Sequence, residues 1–216
     1  MARQTFQHLV ACLYLILLGT QAHAQSAALD CDIVKNTKPV ELSYHFANGT
    51  KVIIQSYRTK ADDYVTWSRT ETAKVTMVMK MSYVAGIPSE SQETYTSPGQ
   101  ARSTTRKFST EGIPKNFDRR SDLKYTMKVT SAFSDANPVE FVNTSSYAFK
   151  SEEKITVSGC VIDVIHGETE NVDPKTGKAT HVPQRFFPEL KLSAPDSQDV
   201  VIDAFKTTFE PISPTP

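Results

Sequence analysis

The chain has 216 residues, of which 39% are hydrophobic and 22% are charged, and its 24 basic residues balance 24 acidic ones. This composition is that of a globular protein and argues against intrinsic disorder. Because the formal net charge is +0, no general attraction to nucleic acid or to an anionic membrane is expected.

The first 24 residues have the pattern of a cleaved export signal. Arg3 supplies a positive charge, residues 9–18 form an apolar run too short to span a membrane, and Ala22-His23-Ala24 is the small-x-small motif that signal peptidase reads. Cys12 ends a Leu-Val-Ala-Cys lipobox, but here the apolar run follows the cysteine instead of preceding it. We therefore expect cleavage near Ala24, which releases a periplasmic or secreted protein without a membrane span.

Signal cleavage leaves two cysteines in the mature chain. Cys12 departs with the signal, so Cys31 and Cys160 remain as an even pair in an oxidising compartment. We expect a disulfide between them that ties the mature N-terminus to a late strand. Residues 25–210 are then predicted to form a single β domain, followed by a Pro-rich tail over residues 211–216.

Alternation of apolar and polar side chains predicts strands along most of the mature chain. Residues 40–46 alternate, and residues 51–57 form a second apolar run. Asn48-Gly49 between them is a strong hairpin signal, because both residues accept the positive φ of a tight turn. Residues 89–121 contain few apolar side chains, so they hold either short edge strands or one long loop, with some pairing expected.

The remaining predicted strands are alternating or β-rich runs, and they lie at residues 64–70, 75–83, 123–129, 139–149, 155–165, 180–187 and 200–205. Gly159 is expected to mark either a bulge or a close approach of another chain segment, and Pro174 with Gly177 predicts a turn. No segment shows the sustained period of 3.6 that an amphipathic helix needs. The predicted fold is all-β with little helix: an antiparallel meander of about nine or ten strands that forms a curled half-barrel or barrel-like sheet.

A stripe of methionines is a candidate ligand-binding surface. Met77, Met79 and Met81 fall on one face of their predicted strand. Packing in the core is the ordinary role of such a stripe, and binding of Cu(I) by the thioethers is the alternative. We predict that these methionines line the concave face of the curled sheet together with Trp67 and contact an apolar ligand.

Positive charge is concentrated in the sparse middle stretch of the chain. Between residues 100 and 120, two acidic residues oppose six basic ones, which are Arg102, Arg106, Lys107, Lys115, Arg119 and Arg120. The stretch is either a solvated loop or a mobile basic loop that binds a carboxylate, a phosphate or a lipid head group, with Phe108 and Phe117 as apolar contacts. Arg102, Arg106 and Lys107 are the binding residues predicted from it.

Catalytic motifs are present only in unsuitable contexts. Residues 121–124 and 151–154 both read S-x-x-K, and Lys175-Thr176-Gly177 resembles a third element of the penicillin-binding fold. That serine needs a helix N-terminus, whereas both motifs here enter predicted strands, where residues three apart point to opposite faces. We therefore predict no catalytic residue.

The histidines of the late hairpin favour charge pairing over a metal site. If the turn centres near residues 175–176, Glu170 falls opposite His181 and Arg185 falls opposite His166. Cross-strand pairs of opposite charge stabilise antiparallel sheets. No metal site and no cofactor are predicted.

The C-terminal third contains a pattern that resembles uncharacterised exported proteins of Gram-negative bacteria. Its parts are Val157-Ser158-Gly159-Cys160, the acidic strand Glu168-Thr169-Glu170, a glycine turn, and Phe186-Phe187-Pro188-Glu189-Leu190. The series of long strands as a whole is similar to the curled antiparallel sheet of periplasmic lipoprotein-carrier proteins. This resemblance is architectural and implies the shape of the sheet, with no functional residue carried over.

These observations together predict a non-enzymatic exported β domain. Its expected partner is a lipid or other amphiphilic ligand, or a protein of the cell envelope, bound through the concave face. A purely structural or interaction role in the envelope, or an unrecognised hydrolase, is the alternative.

Overall fold

The computed structural model describes most of the predicted mature chain. The described residues are 31, 39–58, 63–84, 87–97, 100–114, 117–133, 136–157, 159–207 and 212. The predicted signal peptide lies outside them, as does the predicted tail apart from Ile212. No helix among the described residues has the length and apolar content needed to cross a membrane.

Within the described residues, twelve antiparallel strands form one sheet, so the all-β prediction is confirmed and the predicted number of strands is slightly low. The strands are β1 (Val40–Phe46), β2 (Lys51–Arg58), β3 (Tyr64–Glu71), β4 (Thr76–Val84), β5 (Ile87–Ser97), β6 (Gln100–Glu111), β7 (Leu123–Phe133), β8 (Ala136–Val157), β9 (Cys160–Val172), β10 (Ala179–Phe187), β11 (Leu192–Pro195) and β12 (Val200–Thr207). Each strand from β1 to β10 pairs with the next one in the chain, and β12 returns to pair with β1. The result is a meander that curls into a nearly closed barrel shape.

The first hairpin forms where Asn48-Gly49 predicts it. Residues of β1 pair with those of β2 from Val40 opposite Ser56 to His45 opposite Lys51. Gly49 has a φ of 82°, and the Asn48 side-chain oxygen accepts a hydrogen bond from the Thr50 N–H at 2.9 Å. The turn therefore uses the positive φ that glycine permits and the local hydrogen bond that asparagine supplies.

The pairing expected within residues 89–121 is present, in strands longer than the predicted short edge strands, whereas the single strand predicted over residues 155–165 is wrong. The sparse stretch forms the long strands β5 and β6, which pair from Glu90 opposite Lys107 to Ser97 opposite Gln100. The predicted single strand over residues 155–165 is instead the end of β8 and the start of β9. Gly159, with a φ of 83°, reverses the chain there and brings Val157 opposite Cys160. A glycine at positive φ completes a tight turn as readily as a bulge, so the pattern alone does not distinguish them.

The two ends of the sheet overlap and form the main apolar core. Following the strand pairing, Phe205 of β12 and Phe186 of β10 belong to the same concave face, while Phe187 lies on the opposite face of β10. Phe187 packs edge-on against Phe205, with ring centroids 5.0 Å apart. The concave face of β12, β1 and β2 therefore covers the outer face of β9, β10 and β11. The buried members of this core are Val40, Leu42, Tyr44, Val52, Cys160, Ile162, Val164, Phe187, Leu190, Leu192, Ala194, Val200 and Phe205.

The predicted disulfide is present. Cys31 and Cys160 are bonded across 129 positions of sequence, and Cys160 is buried in the core at the start of β9. The bond therefore fixes the chain just before β1 to the far end of the meander, where the two ends of the sheet overlap.

Candidate functional site

A cavity of about 200 Å³ lies on the concave face of the sheet. Its lining comes from the consecutive strands β4 to β11 and from the connection between β6 and β7. The lining residues are Tyr83, Pro88, Thr110, Ile113, Phe117, Arg119, Leu123, Tyr125, Met127, Tyr147, Thr169, Gln184 and Ser193. The lining combines aromatic and aliphatic groups with a few polar side chains, which is the usual character of a small-molecule site.

The β6–β7 connection, residues 112–122, places side chains inside the curled sheet. Gly112 begins it with a φ of 91°, and a Cβ atom there would lie 3.2 Å from the Lys124 carbonyl oxygen. The Phe117 N–H then donates to the Pro114 carbonyl at 3.1 Å, and the Phe117 ring meets the Tyr147 ring edge-on at 5.7 Å. The connection therefore turns back against β7 and carries residues 117–119 to the cavity.

Arg119 is the charged residue among the described residues that line the cavity. Its guanidinium lies 4.5 Å from the centroid of the Phe186 ring and 5.7 Å from that of Tyr147. The Tyr147 hydroxyl donates to the Arg119 carbonyl at 2.9 Å, which fixes the backbone from which the side chain projects. No carboxylate within the described ranges forms an ion pair with Arg119, so aromatic faces are the main favourable contacts of its charge.

Arg120, the next residue, has a different environment. Its guanidinium pairs with Glu152 at 2.5 Å and Asp163 at 3.1 Å, with Asp118 at 3.6 Å. Lys154 also reaches Asp163, at 2.8 Å, and together with Arg120 it lowers the pKa of that carboxyl. Of these two adjacent arginines, Arg120 has its charge compensated by carboxylates at the surface, and Arg119 faces the cavity.

The tyrosines around the cavity remain neutral hydroxyl groups at ordinary pH. Burial raises the pKa of Tyr83, Tyr125 and Tyr147, and the positive charge of Arg119 only partly opposes this rise. The pKa of Tyr64, which is buried beside Tyr83 with stacked rings, is raised for the same reason. The cavity therefore has polar hydroxyls but no tyrosinate to neutralise Arg119.

Gly167 of β9 makes room for the Tyr147 ring. A Cβ atom on Gly167 would lie 2.6 Å from Tyr147 Cε2 and closer still to the hydroxyl oxygen. Only a residue without a side chain allows the ring to cross the backbone of β9 at this distance. Gly167 therefore determines where one wall of the cavity stands.

We expect the Gly167→Ala substitution to lower the free energy of unfolding by about 2 kcal/mol, because the added methyl group overpacks against the Tyr147 ring. Urea denaturation measures this loss. In a Tyr147→Leu background the same substitution should cost little, since the ring is gone. Equal losses in both backgrounds would show that the contact does not limit this position.

The three predicted methionines share the concave face but do not line the cavity. Met77, Met79 and Met81 are half-buried opposite Thr70, Ser68 and Thr66 of β3. A different methionine, Met127 of β7, contributes to the cavity lining.

Trp67 lies on the other face of the sheet. It is directly opposite Lys80 of β4, whose Nζ atom is 5.6 Å from the ring centroid. Since Lys80 and the methionines alternate along β4, Trp67 does not share the methionine face, and the expectation that it lines the concave side is not met.

The predicted basic residues of β6 also divide between the two faces. Arg106 is on the concave face, where it pairs with the buried Glu93 at 2.5 Å. The Tyr95 hydroxyl donates to the same carboxylate at 2.5 Å, so this charge is compensated within the protein. Lys107 is exposed on the outer face. The backbone of Arg102 lies opposite Tyr95, and its side chain is outside the described part of the structure.

The described histidines pair with carboxylates. The strand register places His181 opposite Glu170 and His166 opposite Arg185, as predicted. His166 is held on both ring nitrogens, by Asp196 at 2.7 Å and Glu153 at 3.3 Å. Both ring nitrogens of His166 therefore have carboxylate partners, and within the described residues neither contacts a serine or threonine hydroxyl.

No protein-family model, no curated protein and no solved structure matches this chain. The cavity therefore has to be interpreted from its own residues. Sequence reasoning included Arg119 and Phe117 in the basic stretch but did not select them as site residues, and it missed Tyr83, Tyr125 and Tyr147. The sequence did contain a signal for two of these tyrosines. Tyr83 in β4 and Tyr125 in β7 each lie two residues from a methionine, so alternation places them on the same face as that methionine.

Proposed function

We propose that this chain is an exported binding protein that holds a small amphiphilic ligand inside its curled sheet. The observation that carries the proposal is the 200 Å³ cavity, in which Leu123, Met127 and Phe117 stand beside one guanidinium and several neutral hydroxyls. Apolar walls supply most of the binding free energy in such sites, and a few polar groups orient the ligand. The predicted signal peptide and the disulfide suit a role in the periplasm or outside the cell.

The experiment uses a neutral dye, N-phenyl-1-naphthylamine, whose fluorescence increases in apolar surroundings. We expect the purified mature protein to bind it. Thr110→Phe, which adds a ring to the cavity lining, should weaken binding at least about fivefold, because the ring occupies the ligand's space.

Thr105→Phe is the matched control. It makes the same change on the same strand, but Thr105 alternates with the concave Arg106 and so lies on the outer face. The control should bind the dye as the wild type does. The proposal fails if the wild type does not bind, or if both variants lose affinity equally.

A further inference from the structure

The charged side chains that line the cavity indicate which kind of ligand it can bind. Among the lining residues that the structure describes, Arg119 is the charged one, and burial keeps Tyr83, Tyr125 and Tyr147 protonated. The described part of the lining therefore carries one positive charge and no compensating negative charge.

The neighbouring arginines show how the protein compensates a guanidinium elsewhere. Arg106, on the same concave face, has the buried Glu93, and Arg120 has Glu152 and Asp163. For Arg119 the described residues provide aromatic faces and no ion pair. Arg119 is half-buried, and a partly desolvated guanidinium gains most from an anionic oxygen group that accepts two of its N–H donors.

We infer that the ligand of this cavity is a monocarboxylic acid, whose carboxylate binds the Arg119 guanidinium and whose apolar part lies against Leu123 and Met127. The inference rests on the proposed ligand-binding function and specifies its ligand class. A single cationic side chain balances one negative charge, so a carboxylate is matched, whereas a phosphate monoester with nearly two charges is not. The neighbouring hydroxyl-bearing residues Thr110 and Ser193 provide further polar contacts.

The test compares three eight-carbon probes that differ only in their head group: octanoate, octanol and octyl phosphate. Isothermal titration calorimetry of the wild type should give at least about tenfold tighter binding of octanoate than of octanol, because a charge-assisted pair is added. Octyl phosphate should bind more weakly than octanoate. The preference for octanoate over octanol should vanish as the pH falls below the pKa of the octanoate carboxyl group, since the neutral acid has lost its charge.

Substitutions test whether the preference for octanoate over octanol depends on Arg119. Arg119→Met keeps the length of the side chain and its contact with Phe186 but removes the charge, so octanoate and octanol should bind equally. Arg119→Lys should retain part of the preference. Lys107→Met removes one positive charge from the outer face and should leave the preference unchanged.

The outcomes separate the inference from the proposed function. Equal binding of octanoate and octanol by the wild type overturns the inference and leaves the binding function in place. Tighter binding of octyl phosphate than of octanoate overturns the assignment to a monocarboxylate. If the wild type binds none of the probes, and the neutral dye also fails to bind, both proposals are overturned. If Arg119→Met does not fold, the pH dependence of the wild type decides the inference.

Discussion

Replacing Phe187 by Ala is expected to lower the free energy of unfolding by about 3–5 kcal/mol. The Phe187 side chain is 0% exposed, and it packs against Phe205 where the two ends of the sheet overlap. The substitution removes a large apolar group and leaves a cavity that the paired backbones of β9, β10 and β11 cannot collapse to fill. Urea denaturation followed by circular dichroism measures the effect.

Phe141→Ala is the matched control for this prediction. The same group is removed from β8, where Phe141 is 43% exposed, and the cost should stay below about 1 kcal/mol. A double-mutant cycle with Phe205→Ala should give a coupling energy of about 1 kcal/mol between the two rings. Equal costs for Phe187→Ala and Phe141→Ala, or no coupling with Phe205, would contradict the overlap of the sheet ends.

Loss of the disulfide is expected to lower the free energy of unfolding by about 4 kcal/mol, since the bond closes a very long loop in the unfolded chain. Cys31→Ala tests this directly, because it removes the bond and leaves the buried Cys160 side chain in the core. Urea denaturation of the oxidised wild type and of this variant gives the difference.

Two comparisons separate the cross-link from packing. Adding dithiothreitol to the wild type should reproduce most of the effect of Cys31→Ala, and it should leave the variant unchanged. Cys160→Ala should be less stable than Cys31→Ala, since it also removes buried atoms. If the reduced and oxidised wild types unfold at the same urea concentration, the bond does not stabilise the protein.

Much of the sheet follows from local patterns in the sequence. The alternation over residues 40–46, the Asn48-Gly49 turn and the turn at Gly177 each depend on neighbouring residues, and each is present. The late hairpin register, with His181 opposite Glu170, follows from the position of its turn because antiparallel pairing counts outward from the turn. The strands β5 and β6 were harder to predict, because their polar and Ser/Thr-rich sequences lack a strong apolar period.

Local sequence patterns were enough to predict the all-β class, most turns and the pairing of Cys31 with Cys160. Only the tertiary structure decided which face of the sheet becomes the interior, because period-two alternation separates two faces without saying how far the sheet curls. It placed Phe186 beside the cavity and Phe187 in the overlap of the sheet ends. It likewise gave Arg120 carboxylate partners and left Arg119 facing the rings of Phe186 and Tyr147. Two identical adjacent residues cannot reveal this difference, since it depends on strands distant in the chain.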